Sequence, residues 1–96
     1  MQLDKAKKRI AKKVKRGFQG YPLIAITYFG STTDQADEVS VTLTLEEGAE
    51  ALEGRFKSTD DARENATIQS ALVKIIERTD CKTLLENPDV TLVPAP

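Results

Sequence analysis

The chain has 96 residues, 40% hydrophobic and 30% charged, which is typical of a globular protein and not of a disordered one. Cys81 is the only cysteine and histidine is absent, so an internal disulfide and the usual ligands of a structural zinc site are excluded. The length predicts one domain over residues 1–96, with a core that needs no metal or disulfide.

The charges are unevenly distributed along the chain, although the formal net charge is only −1. Residues 1–20 hold eight of the 14 basic residues and one of the 15 acidic residues, which gives a local charge of +7. The remaining residues carry six basic and 14 acidic side chains, a charge of −8. This separation is the most informative feature of the composition.

An amphipathic helix is predicted over residues 3–16, followed by Gly17 as a C-terminal stop. At 100° per residue its apolar face carries Leu3, Ala6, Ile10, Ala11 and Val14. The opposite side is basic. We define the basic face as six candidate contacts for a polyanion or partner, which are Lys5, Lys8, Arg9, Lys12, Lys13 and Arg16.

Three strands are predicted next, over residues 22–29, 39–46 and 51–57. The first is the longest apolar run and has apolar side chains on both faces, which favours a central place in a sheet. The second alternates apolar and polar residues, as a strand with one buried face does. The third is weaker because Gly54 interrupts it.

A second helix is predicted over residues 61–78, with Ser58 and Asp61 forming a capping box at its start. Residues 79–87 are expected to be a connection, followed by a turn at Pro88 and Asp89. A short fourth strand is predicted over residues 90–93.

These elements predict an α+β fold of order α-β-β-β-α-β, a two-layer sandwich with a mostly antiparallel four-stranded sheet. Three consecutive strands with short connections favour a meander, and a helical crossover brings the fourth strand beside the first. The expected spatial order is 3-2-1-4, with both helices on one face of the sheet.

The residues give no signature of catalysis, metal binding or cofactor binding. Cys81 has no histidine to act as its base. The acidic loop of Asp34, Asp37 and Glu38 lacks the spacing of an EF-hand. The carboxylate pairs Glu46/Glu47, Glu50/Glu53 and Asp60/Asp61 fall in predicted turns and at a predicted helix start. We therefore expect no enzyme activity, no cofactor and no metal.

The basic helix is the one feature that indicates a function. Its charges could be neutralised by the protein's own acidic residues, by nucleic acid, or by an acidic protein or anionic membrane surface. We expect a small non-enzymatic binding or protein-interaction module; the alternative is an accessory protein that binds nucleic acid through this helix. The apolar run at 21–29 is too short to span a bilayer, and no signal-peptide pattern is present, so a cytoplasmic protein is expected.

Overall fold

A computed structural model describes residues 1–92 of the chain. Its elements are α1 (Leu3–Lys15), β1 (Leu23–Gly30), β2 (Glu38–Thr44), β3 (Leu52–Lys57), a single 3-10 turn (Ala62–Glu64), α2 (Ala66–Thr79) and β4 (Thr83–Leu92). The predicted order α-β-β-β-α-β is confirmed. The first helix and the first three strands agree with their predicted bounds to within two residues.

The four strands form one sheet in the predicted order β3-β2-β1-β4. β2 is antiparallel to both β1 and β3, whereas β4 runs parallel to β1. The sheet is therefore mixed. Parallel neighbours need a crossover connection, and the segment between β3 and β4 that contains α2 supplies it.

The core lies between the sheet and the two helices, which cover the same face. Alternate β1 residues Ile24, Ile26 and Tyr28 point into it and are at most 2% exposed. Ile10 of α1 and Leu72 of α2 belong to the same buried cluster. β1 is the strand with a neighbour on each side, in agreement with the central position predicted for it.

The other face of the sheet has no helix over it within residues 1–92. Its apolar side chains are half-buried, as Leu23 and Phe29 of β1 are, or exposed, as Leu85 of β4 is. The Arg55 guanidinium lies 5.1 Å from the centre of the Phe29 ring, a cation–π contact. Apolar residues on both faces of β1 thus reflect a central strand with one face buried by helices and the other shielded in part by long polar side chains.

The second helix starts later than predicted. Asp61 does not cap it; the Asp61 side chain accepts a hydrogen bond from the Arg63 N–H and closes the 3-10 turn. Asn65 then takes extended backbone angles, and its Oδ1 accepts from the Ile68 N–H at 3.0 Å as the true N-cap of α2. The predicted capping box is therefore wrong, because Ser58 Oγ bonds to Asp60 instead.

The prediction was also wrong for the last strand. Residues 83–87 belong to β4 and not to a connection, and Leu84 is fully buried against β1. The register between β4 and β1 shifts by two residues, because Thr27 pairs with Asn87 and Tyr28 with Val90. The predicted turn at residues 88–89 is instead this irregularity inside the strand. Val93, predicted as the end of the strand, lies outside the described residues.

Among the helices of residues 1–92, none is long and apolar enough to cross a membrane.

Candidate functional site

The basic face lies on the side of α1 that points away from the core. Ala6 and Ile10 are buried against the rest of the protein, whereas five of the six basic-face residues are exposed and Lys13 is half-buried. Ala11, predicted on the apolar face, is exposed. The helix ends as expected, with Gly17 at a positive φ of 69°.

α1 makes two ion pairs with the rest of the described chain. Lys7 Nζ lies 2.7 Å from Glu64 Oε1 at the 3-10 turn, and Arg9 Nη1 lies 3.0 Å from Glu77 Oε1 on α2. All four side chains are more than 40% exposed, so each pair stabilises the fold only weakly. Arg9 is thus the one member of the basic face that is paired within residues 1–92.

A groove of about 380 Å³ runs between the C-terminal halves of α1 and α2. Its charged lining consists of Arg9, Lys12, Lys13, Arg16, Glu77 and Asp80. Four cations therefore face two anions, which leaves the groove positive. A neighbouring depression adds Lys82 to Lys13 and Arg16 and continues this positive surface toward the start of β4.

A second site was not predicted and lies on the core side of the sheet. Gln69 of α2 donates from Nε2 to Tyr28 Oη of β1 at 3.0 Å, and Tyr28 Oη donates to Glu86 Oε2 of β4 at 3.0 Å. Tyr28 and Gln69 are at most 2% exposed, and Glu86 is half-buried. Burial raises the pKa of the Tyr28 hydroxyl far above its ordinary value, so the phenol stays protonated and available as a donor.

This network forms the floor of a cleft of about 600 Å³ between α1, the 3-10 turn and β4. Arg63 forms one wall. Its guanidinium makes two hydrogen bonds with the Asp61 carboxylate, at 2.9 and 2.8 Å, and donates to the Pro88 carbonyl at 3.1 Å. The Arg63 guanidinium holds the pKa of Asp61 below its usual range, which keeps that carboxylate charged.

The sequence contained little signal for the cleft. The alternation in β1 placed Tyr28 on the same face as Ile24 and Ile26. However, Glu86 was assigned to a connection, and Gln69 has no recognisable spacing in the sequence to the other two residues. Burial of Gln69 opposite Tyr28 is visible only in the structure, and Glu86 joins them only because β4 pairs with β1.

Cys81 and the acidic loop, considered for catalysis and for metal binding, lie near opposite ends of β1. Cys81 is 1% exposed, and burial raises the pKa of its thiol, which opposes formation of the reactive thiolate. In the acidic loop, Glu38 pairs with Arg55 at 3.3 Å, and Asp37 Oδ1 accepts from Gln35 at 3.2 Å. Within residues 1–92 no three potential metal-ligating side chains converge.

Comparison of the chain with protein-family models, with curated proteins and with solved structures found no significant match. Function is therefore inferred from the geometry of the chain itself.

Proposed function

We propose that this protein is a small non-enzymatic binding module whose basic face attaches it to an anionic macromolecule. One observation carries the proposal: of the six basic-face residues, only Arg9 has an ion-pair partner among residues 1–92. The other five, Lys5, Lys8, Lys12, Lys13 and Arg16, present their charge along one side of a helix that is anchored by its opposite side.

The spacing of these charges supports an external partner. Lys5 and Arg9, Lys8 and Lys12, and Lys12 and Arg16 are like-charged pairs at i,i+4, each of which destabilises an isolated helix by roughly 0.2–0.5 kcal/mol. The acids of the protein itself relieve little of this repulsion, because the ion pairs of α1 within the described chain use only Lys7 and Arg9. A partner rich in negative charge would relieve the rest.

The composition of the basic face fits a nucleic-acid backbone better than an acidic protein. Protein–protein interfaces are enriched in aromatic residues, methionine and arginine at their centre and are depleted of lysine there. The six positions of the basic face hold only lysine and arginine. Lys5 and Arg16 are separated by about 16 Å along the helix axis, a length over which duplex DNA presents a negative charge about every 1.7 Å.

The proposed binding reads the backbone and not the base sequence. Bases are distinguished mainly by bidentate side-chain contacts in a groove. The basic face holds four lysines, no asparagine or glutamine, and two arginines, of which Arg9 is paired with Glu77. If about four cations reach phosphates, the logarithm of the binding constant falls with the logarithm of salt concentration at a slope near −3.6, about −0.9 for each contact. The interaction is therefore weak and salt-sensitive.

A charge-reversal pair tests the proposal by fluorescence anisotropy with labelled duplex DNA or RNA at low salt. We expect Lys5→Glu with Lys12→Glu to abolish binding. These changes turn repulsive i,i+4 pairs into attractive ones, so the helix itself is retained. Lys57→Glu with Lys74→Glu is the matched control, because both lysines are exposed, lie outside α1 and alter the net charge equally. The control is expected to bind with nearly unchanged affinity.

Two results would count against nucleic acid. Equal loss of binding in both double variants would mean that overall charge, and not the basic face, is responsible. Binding of an acidic polypeptide such as polyglutamate, with no binding of DNA or RNA at the same ionic strength, would assign the basic face to a protein partner instead.

The same proposal treats the module as cytoplasmic and without a catalytic step. The single cysteine supports the first part, since disulfide-stabilised folds of this size belong to oxidising compartments. Burial of Cys81 supports the second, because the most nucleophilic side chain type in the sequence is held away from solvent.

A further inference from the structure

The cleft above Tyr28 ends in a carboxylate whose charge is not balanced by the described chain. Gln69 Nε2 has two hydrogens, and these are used by Tyr28 Oη and by the Ala62 carbonyl, both at 3.0 Å. Tyr28 must therefore donate its own hydrogen to Glu86, which ends the chain of donors as an acceptor. The network thus presents an acceptor, and not a donor, to the open cleft.

Glu86 differs in this respect from the other acids of the cleft. Glu64 is paired with Lys7 and Asp61 with Arg63, at 2.7 and 2.8 Å. Glu86 has no ion-pair partner among residues 1–92. Its Oε1 also accepts no hydrogen bond from them, while Oε2 is held by Tyr28. A half-buried carboxylate with one oxygen fixed and the other available is suited to accept from a bound ligand.

The irregular backbone that follows Glu86 in β4 helps to present its side chain to the cleft. The two-residue register shift in β4 follows directly after Asn87, and a bulge of this kind redirects the side chains around it. Arg63 fixes the irregular segment through the Pro88 carbonyl while its own position is set by Asp61. The cleft therefore exists in a preorganised form, with a volume in the range of small-molecule sites.

We propose that this cleft binds a small zwitterion that carries a guanidinium group, which is held by Glu86. The cation supplies the charge that the described chain does not, and its N–H groups satisfy the second carboxylate oxygen. An organic cation fits better than a metal ion, because a single carboxylate is offered where hard metals take six or more oxygen ligands or keep several waters. This site goes beyond the polyanion-binding function, and Lys8 is the one residue that it shares with the basic face.

Lys8 is suited to contact a second charged group of the ligand. It lines the same cleft and has no ion-pair partner among residues 1–92. With Lys7 and Arg63 neutralised by their partners, the remaining charges of the lining are one cation, Lys8, and one anion, Glu86. A ligand with a carboxylate as well as a cationic group matches both.

Isothermal titration calorimetry with arginine, citrulline and agmatine tests the assignment. Citrulline has nearly the shape of arginine but a neutral urea group, and agmatine lacks the carboxylate. We expect arginine to bind at least about tenfold more tightly than citrulline, as for loss of a charge-assisted hydrogen bond. Glu86→Gln should weaken arginine binding by a similar factor, because it removes the charge while keeping an acceptor for Tyr28. Glu50→Gln, an exposed position in the β2–β3 turn, is the matched control.

A second variant tests the carboxylate contact. Lys8→Ala should weaken arginine and leave agmatine nearly unchanged; equal weakening of both ligands would overturn the assignment of a zwitterion. Amide chemical shifts of the unmodified protein, recorded with arginine, should change around Ala11, Gln69 and Glu86, which locates the site independently of any variant.

Three results would overturn the proposal. The first is no arginine binding up to about 10 mM, a range that covers even weak affinities. The others are equal affinity for arginine and citrulline, and an unchanged affinity for arginine in Glu86→Gln. The outcome is separable from the polyanion proposal. Arg16→Glu should weaken DNA or RNA binding and keep arginine binding, since Arg16 neither lines the cleft nor lies within a helical turn of Lys8. Glu86→Gln should keep DNA or RNA binding.

Discussion

At the scale of single residues, Gly30 is constrained by space and not by its backbone angles. It ends β1 where the following loop folds back, and the Asp37 N–H donates to the Phe29 carbonyl at 2.8 Å. A Cβ atom on Gly30 would collide with the Gln35 carbonyl oxygen and would lie 3.0 Å from Val90 Cγ1. The obstacle is therefore backbone, which cannot move aside as a flexible side chain can.

Gly30→Ala is predicted to destabilise the protein by about 1–3 kcal/mol, the cost of overpacking a tight site. Gly54→Ala is the control, because no heavy atom lies within 4 Å of its added Cβ and strand interiors favour alanine over glycine. Urea denaturation should show a loss for Gly30→Ala and no loss for Gly54→Ala. An unchanged midpoint for Gly30→Ala would show that the loop can yield at this point.

At the scale of elements, β2 and β4 show when a strand can be predicted from the sequence. β2 was recognisable because its apolar residues alternate along a strand with one covered face. β4 was not, because its core residues Leu84 and Val90 are separated by Glu86, Asn87 and an unpaired stretch containing Pro88. Such a strand gains its conformation from pairing with β1, and that tertiary cause leaves no local pattern in the chain.

The start of α2 illustrates the same limit. Ser58, Thr59, Asp60, Asp61 and Asn65 are all residue types that cap helices. Local preference therefore offered several starts. The Arg63 side chain reaches the Asp34 and Pro88 carbonyls, and the Ala62 N–H donates to the Ala36 carbonyl at 2.8 Å. These long-range bonds hold residues 62–64 as a separate turn and leave Asn65 as the cap.

The docking of α1 on the core is tested at this same scale by Ile10→Ala. Ile10 is 2% exposed, so its truncation is predicted to cost about 2–4 kcal/mol in the free energy of unfolding. Leu52→Ala, at a position 60% exposed, should change stability by less than about 0.5 kcal/mol. Equal effects of the two changes, measured by chemical denaturation, would contradict the docked position of α1 on which both proposed sites depend.

At the scale of the whole molecule, the charge separation seen in the sequence persists in space. The ion pairs of α1 within residues 1–92 go to the 3-10 turn and to α2. None of them involves the acidic β2–β3 turn of Glu46, Glu47 and Glu50. Composition could predict that a basic and an acidic part exist, but only the fold shows how little they neutralise each other.

This arrangement predicts the sign of the salt effect on stability. Between about 10 mM and about 100 mM salt the Debye length falls from roughly 30 to roughly 10 Å, so repulsion between exposed charges weakens. If unpaired like charges on α1 dominate, the melting temperature rises with salt. A relief of about 0.5 kcal/mol corresponds to roughly 2–4 °C in a protein of this size.

Thermal unfolding followed by circular dichroism measures this effect. Lys5→Glu with Lys12→Glu should melt higher than the unmodified protein at low salt and gain little when salt is added, because its i,i+4 pairs with Arg9 and Arg16 are attractive. A melting temperature of the unmodified protein that falls as salt is added would mean that attraction between α1 and the protein's own acids outweighs repulsion within the helix. The basic face would then be engaged internally, and the reason for assigning it an external partner would be lost.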